Sequence, residues 1–196
     1  MAKTESISLT TGIGRMSYAF LLKPVDSKLA PGKFKYKVDL VYPKADLSPE
    51  WIAIMSGVRK LGEASFGPDF MEFVRGARGF YSCVKDGDRM EKPDPLYKGC
   101  YILSTSTQAS PNLPGPTIVD AKLQRILTPE DCFSGCWGRA AVTLKAYDHV
   151  SKGVAAYLRG LQVVRKDAPL GSGVDPESEF GAIVDPGAPA NVDPFS

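Results

Sequence analysis

The chain has 196 residues, 43% hydrophobic and 23% charged, the composition of a globular domain with a real core plus appendages. Its net charge of +2 divides into +8 over residues 1–166 and −6 over residues 167–196, where six acids and no Lys or Arg occur. That division points to a polyanionic partner, while the start MAKTESISL and the lack of any apolar run near ~18 residues argue against a secretory leader and a membrane span.

The first predicted strand is Met16 to Leu22, ended by Lys23-Pro24. A turn-rich stretch from Asp26 to Gly32 leads to the clearest strand, Lys33 to Tyr42. Its period-two alternation separates Phe34, Tyr36, Val38 and Leu40 from Lys33, Lys35, Lys37 and Asp39. One face suits a core and the other a wet, negatively charged neighbour.

Ser48-Pro49-Glu50 opens a helix of about 15 residues, with an N-cap hydroxyl, proline at the first position and an acid in the first turn. Trp51, Ile52, Met55, Val58 and Leu61 follow at helical spacing, and Gly67-Pro68 ends it. Residues 68–96 read as irregular, with one short strand at Phe80 to Val84. Strands are predicted from Tyr97 to Thr105 and again at Thr117-Ile118-Val119, and a helical turn at Thr128-Pro129-Glu130-Asp131. Two long strands close the body, Trp137 to Tyr147 and Val154 to Arg165.

Beyond Lys166 the composition shifts to Gly, Pro, Ala and Asp, with three Asp-Pro steps. Such a segment has too little apolar surface for a core, so residues 167–196 are expected to be a disordered acidic tail appended to a domain of residues 1–166. The body is then mainly β: five or more strands around one helix, with long loops. A small barrel is the economical way to remove the sheet edges.

The strand from Trp137 carries the most chemical information. Gly138, Ala140, Val142, Leu144 and Ala146 are small and apolar, whereas Trp137, Arg139, Thr143, Lys145 and Tyr147 share the opposite face. Rings and cations pointing outward in a row match single-stranded DNA, whose bases offer stacking faces and whose phosphates form a line of negative charge. The theme recurs in the row Lys33, Lys35 and Lys37, in Tyr97 and Tyr101 with Lys98 at their rim, and in Tyr157 with Arg159. Phosphate contacts are accordingly expected from Lys33, Lys35, Lys37, Lys98, Arg139, Lys145 and Arg159, and base stacking from Tyr97, Tyr101, Trp137 and Tyr147. The bland alternative for each row is an ordinary half-exposed strand with solvated cations.

Enzymatic readings are weaker. His149 stands alone in a predicted turn, and Cys83, Cys100, Cys132 and Cys136 contain no C-x-x-C pair. They read as reduced thiols of a cytosolic protein, not as a zinc site. Asp86, Asp88 and Glu91 form an acidic cluster that a metal-dependent nuclease would need, but loop solvation explains it. No P-loop or nucleophile elbow occurs, so no cofactor, metal or catalytic group is expected. A second alternative to DNA binding is a structural or protein-interaction module whose aromatic face docks a protein.

Four segments resemble the phage-encoded OB-fold single-stranded DNA-binding proteins. They are Gly14-Arg15-Met16-Ser17-Tyr18-Ala19 with Lys23-Pro24, Lys35-Tyr36-Lys37-Val38-Asp39-Leu40 running to Tyr42-Pro43-Lys44, Phe133-Ser134-Gly135-Cys136-Trp137-Gly138-Arg139-Ala140, and Gly153-Val154-Ala155-Ala156 through Val164 to Ala168-Pro169-Leu170-Gly171. Their order and spacing match over about residues 12–172. The resemblance implies a five-stranded OB barrel with an inserted helix. It also implies coating of exposed strands in phage replication or recombination within the host cytoplasm, with DNA contacts near Lys33, Tyr97, Lys98 and Tyr147. It further implies a tail that recruits replication proteins, here through Asp185, Asp193 and Phe195.

Overall fold

The computed structural model describes residues 5–27, 30–76, 79–92, 94–112 and 114–170. The expected tail beyond Leu170, with Asp185, Asp193 and Phe195, lies outside the described residues. The strands are β1 (Ser6–Thr10), β2 (Gly14–Ser27), β3 (Ala30–Pro43), β4 (Phe80–Ser82), β5 (Val84–Asp86), β6 (Cys100–Gln108), β7 (Thr117–Val119), β8 (Trp137–Asp148) and β9 (Lys152–Arg165). Two helices, α1 (Pro49–Phe66) and α2 (Phe70–Gly76), follow β3. The protein is thus mainly β.

The strands form one sheet ordered β1-β8-β2-β3-β6-β9-β4, and β8 pairs with β9 as well. β8 and β9 run antiparallel along their whole length, from Trp137 opposite Arg165 to Asp148 opposite Lys152. The inward residues of β8, Ala140, Val142 and Leu144, meet Val38 and Leu40 of β3 and Leu158 and Leu161 of β9 in one core. The period-two reading of β3 and β8 therefore predicts their inward faces, because backbone pleating alone assigns alternate residues to opposite sides. Phe34 is the exception. It is 51% exposed, since it pairs with Asp26 at the splayed end of the β2–β3 hairpin.

α1 covers one end of the sheet. Ser48 Oγ accepts the Trp51 N–H at 3.3 Å, Pro49 sits at the first helical position, and the Gly67 N–H closes the last turn on the Glu63 carbonyl. Trp51, Ile54, Val58 and Leu61 are its buried stripe, and Trp51 stacks on Tyr101 with ring centroids 5.5 Å apart. Gly62 lets α2 approach, for a Cβ at that position would lie 2.0 Å from the Phe70 ring.

Several expectations are corrected. β2 does not stop at Lys23-Pro24 but continues to Ser27, because Pro24 falls within a register irregularity between Phe20 and Val25, where no ladder N–H is required. The sixth strand begins at Cys100 and not at Tyr97, which belongs to a one-turn 3-10 helix, Pro95–Tyr97. Gly99, with φ +68°, turns the chain between the two. β1 and α2 were not legible. β1 is a strand because it pairs with β8, and α2 has only seven residues, the last of them Gly76, and is held by Phe70 packing on α1.

Candidate nucleic-acid interface

Cross-strand register places outward residues of successive strands side by side. Phe20 of β2 pairs with Lys37 of β3, Lys37 with Ser106 of β6, Ser106 with Tyr157 of β9, and Tyr157 with Thr143 of β8. These residues form a transverse row across five strands. At about 4.8 Å per strand spacing, the row is on the order of 19 Å long.

Its rings are open. Tyr18 is 48% exposed, Phe20 39% and Tyr157 42%. Lys37 Nζ lies 4.6 Å from the Tyr18 ring centroid and 5.3 Å from that of Phe20. At the far end, Lys145 Nζ lies 5.8 Å from the Tyr157 centroid. Lys35 pairs with Val25 and Gln108 two residues along β3, on the same face, and exposed Lys33 continues the line. Aromatic faces beside ammonium groups are what an unpaired strand needs, with stacking for bases and charge for phosphates.

Tyr18 owes its position to a bulge. The register jumps between Ser17 and Phe20, and Tyr18 adopts φ +48°. A non-glycine residue in the left-handed region costs roughly 1–3 kcal/mol and persists where surrounding structure enforces it. Here the extra residue turns the Tyr18 ring outward beside Phe20, a common use of bulges next to functional surfaces.

Asp39 is one position further along the same face, between Ser17 and Ser104. Burial raises its carboxyl above the ordinary 3.8, while Lys85, a Ser104 hydrogen bond, Lys37 and Lys35 pull the other way. A carboxylate thus sits among the cations of this face.

The sequence-predicted residues divide into two groups. Lys33, Lys35, Lys37 and Lys145 lie on or beside the row. Arg159 is exposed on the same strand as Tyr157, with Nη2 at 3.5 Å from the Val142 carbonyl oxygen. Tyr147 is half-buried, opposite Gly153 on the same outward face of β8 as Thr143.

The others are engaged elsewhere. Tyr97 is 3% exposed and shares a hydrogen bond of 3.0 Å with Ser17 Oγ. It packs with Val41 and Ile102 in a small apolar cluster on the outer side of the sheet, which leaves no face for a base. Tyr101 points the opposite way, onto Trp51. Trp137 donates its Nε1–H to Asp167 at 2.8 Å, and the Arg165 guanidinium lies 4.5 Å from its ring. Arg139 is exposed but donates to Gln162 Oε1 at 2.9 Å, away from the row. Lys98 caps the 3-10 turn over Tyr97 and is exposed at its corner. Residues 167–170 are anchored to the domain rather than separate from it, through Asp167 and through the Leu170 N–H on the Ser134 carbonyl.

Tyr18 and Phe20 carry no role in the sequence-based assignment. Spacing alone does not find the pair, since two rings at i and i+2 share a face only in a regular strand, and here the register jump between Ser17 and Phe20 is what sets Tyr18 beside Phe20. Asp86 and Asp88 do converge, but on the Lys44 ammonium, which bridges both and is raised to about 12 by them. Asp88 also accepts the Gly99 N–H at 2.8 Å. The cluster is a staple for the loop carrying Tyr97. The cysteine thiols are unpaired, and burial raises Cys83 and Cys132 to about 12, which makes them poor nucleophiles.

Residues 7–189 match the family model described as Enterobacter phage Enc34, ssDNA-binding protein. A putative protein p50 of Acyrthosiphon pisum secondary endosymbiont phage 1 is 31% identical over 176 residues, covering 85% of this chain and 88% of the relative. Among solved structures, the single-stranded DNA-binding protein from bacteriophage Enc34 in complex with ssDNA aligns with TM-score 0.63 at 21% identity, over 84% of this chain and 89% of that one. The gp2.5 single-stranded DNA binding protein encoded by bacteriophage T7 aligns with TM-score 0.61 at 19% identity, over 95% and 100%. No helix among the described residues is long and apolar enough to cross a membrane. With the family model spanning nearly the whole chain, this protein belongs to the Enc34 family of phage single-stranded DNA-binding proteins.

Proposed function

We propose that the protein binds single-stranded DNA without sequence preference, coating exposed strands during phage replication or recombination in the host cytoplasm, and that it does so without catalysis. The observation that carries this reading is the row Phe20–Lys37–Ser106–Tyr157–Thr143, which sets two open rings, the Lys37 ammonium and two hydroxyls side by side across five strands, with the Lys145 ammonium beside Tyr157. Tyr18, Phe20 and Tyr157 stack on bases, joined by Tyr147, while Lys33, Lys35, Lys37, Lys145 and Arg159 neutralise phosphates. Neither contact reads a base edge, so affinity follows strand length and salt more than sequence.

The scaffold reading is an OB-type barrel. Its support is a circuit of pairings, β8 with β2, β2 with β3, β3 with β6, β6 with β9, and β9 with β8 again. The two-part organisation, a binding domain followed by an acidic tail that recruits replication proteins, rests on the charge division of the sequence. Absence of catalysis is supported by the Lys44 ammonium that Asp86 and Asp88 share.

An oligo(dT) titration at several salt concentrations tests the reading. Each phosphate contact on a single strand contributes roughly −0.7 to the log–log salt slope, and a net slope of about −2 to −4 is expected. Salt-independent affinity would overturn it.

A further inference from the structure

Between the α1–α2 pair and the β4–β5 edge lies an open cavity of about 660 Å³, within the roughly 300–1,000 Å³ typical of ligand sites. Its floor is apolar, built from Met55, Met71, Val74, Phe80 and Val84. Its rim carries Arg75, Lys85, Arg89 and Lys92 against Asp86 and Glu91. Asp86 is shared between Lys44 and the rim's own Arg89, whose Nε lies 3.8 Å from it, and the rim's cations still outnumber its carboxylates over an apolar floor.

Two connections join this cavity to the outward row. The first is aromatic. Tyr157, Tyr147 and Tyr81 all face outward, and Tyr147 and Tyr81 each pair with Gly153 from opposite sides. With no side chain between them, β4 comes in close, for a Cβ on Gly153 would meet the Tyr81 carbonyl oxygen at 2.2 Å and the Tyr147 hydroxyl at 3.1 Å. Tyr81 is 57% exposed and lines the cavity. The second connection is Lys85, which lines the cavity and also acts electrostatically on Asp39, the carboxylate beside Lys37.

We infer that this cavity is a second segment of the single-stranded DNA track. The inference rests on the DNA-binding reading given above. A strand leaving the row passes over Tyr147 and Tyr81, an unstacked base enters the methionine-lined floor, and Arg75 and Lys92 take its flanking phosphates. Thioether side chains adapt to flat rings of different shape, which suits a site that accepts any base. An acidic peptide shares part of this chemistry, but continuity with the row favours the strand that already lies there.

The test compares two lengths of oligo(dT), about 6 and about 20 nucleotides, spanning the site sizes seen for OB-type modules. In the double variant Arg75→Glu/Lys92→Glu, both positions are exposed. The expected result is a loss of about tenfold in affinity for the longer oligonucleotide. Its salt slope should shrink by roughly 1.4, while the shorter oligonucleotide is bound as before. Equal losses at both lengths, or none at either, overturn the inference, and the latter is also what a peptide groove would give. A wild-type protein that binds neither length overturns the DNA-binding reading itself. A second measurement needs no substitution. Photocrosslinking of the unmodified protein to a 4-thiothymidine-substituted long strand should label Tyr81, Met55 or Met71, and labels confined to Tyr18, Phe20 and Tyr157 would count against the cavity.

Discussion

The Lys37 ammonium lies between two open rings, 4.6 Å from the centroid of Tyr18 and 5.3 Å from that of Phe20. A cation over a ring face is worth roughly 0.5–1 kcal/mol at an exposed site, enough to pre-arrange the side chains before a strand arrives. The strained backbone at Tyr18 separates its role in binding from its role in folding. Tyr18→Gly removes the ring and also relieves a left-handed residue. Affinity for oligo(dT) should fall about tenfold or more, from a stacking contribution of roughly 1–3 kcal/mol, with the melting temperature unchanged or raised. Lys37→Ala should reduce the salt slope by about 0.7. Fluorescence anisotropy and thermal melting check both.

Tyr97→Phe distinguishes a buried structural tyrosine from a stacking one. Loss of the hydroxyl leaves Ser17 Oγ without its partner, at about 1 kcal/mol. The melting temperature should drop by about 2–4 °C, while oligo(dT) affinity stays within about twofold.

Asp39 confers a pH dependence. Burial raises its pKa, so between the ordinary value of 3.8 and the raised one the folded state holds more protons than the unfolded state. The contribution of this group to stability therefore increases as pH falls through the raised value and levels off below 3.8. Asp39→Asn should remove that increment and be the more stable protein at neutral pH. It should also bind oligo(dT) more tightly at low salt, because a negative charge leaves a face lined by Lys35, Lys37 and Lys85. Denaturant titrations across pH 3.5 to 7 and anisotropy at pH 7 report the two effects.

Gly62→Ala tests the helix pair. The added methyl would lie 2.0 Å from a ring atom of Phe70, which is fully buried. Overpacking of this kind costs roughly 1–3 kcal/mol, so the melting temperature should fall by about 2–12 °C. Short-oligonucleotide affinity should persist below the new transition, since α1 and α2 lie apart from the row.

Much of this architecture was legible from residue order. The inward faces of β3 and β8 follow from pleating, and α1 announces itself through Ser48, Pro49, Trp51, Val58 and Leu61, although Ile52, read into the same stripe, is 62% exposed and Ile54 takes its place. The cationic row Lys33, Lys35 and Lys37 was likewise readable. Rings were harder to place. Tyr97 and Tyr101 have the spacing of one strand face, yet Gly99 turns the chain between them and sends one outward under a loop and the other onto Trp51. Trp137 has the right parity for an outward ring, but the chain returns at Arg165 and Asp167 to hold it.

The chain's own order of residues determined which side chains point outward, how charge divides along it and where its long helix starts, because each depends on neighbours a few positions away. The tertiary structure alone decided which outward residues stand together. That depends on register between strands as far apart in the chain as those of Lys37 and Ser106, on one extra residue at Tyr18, and on which loop comes to rest over which face.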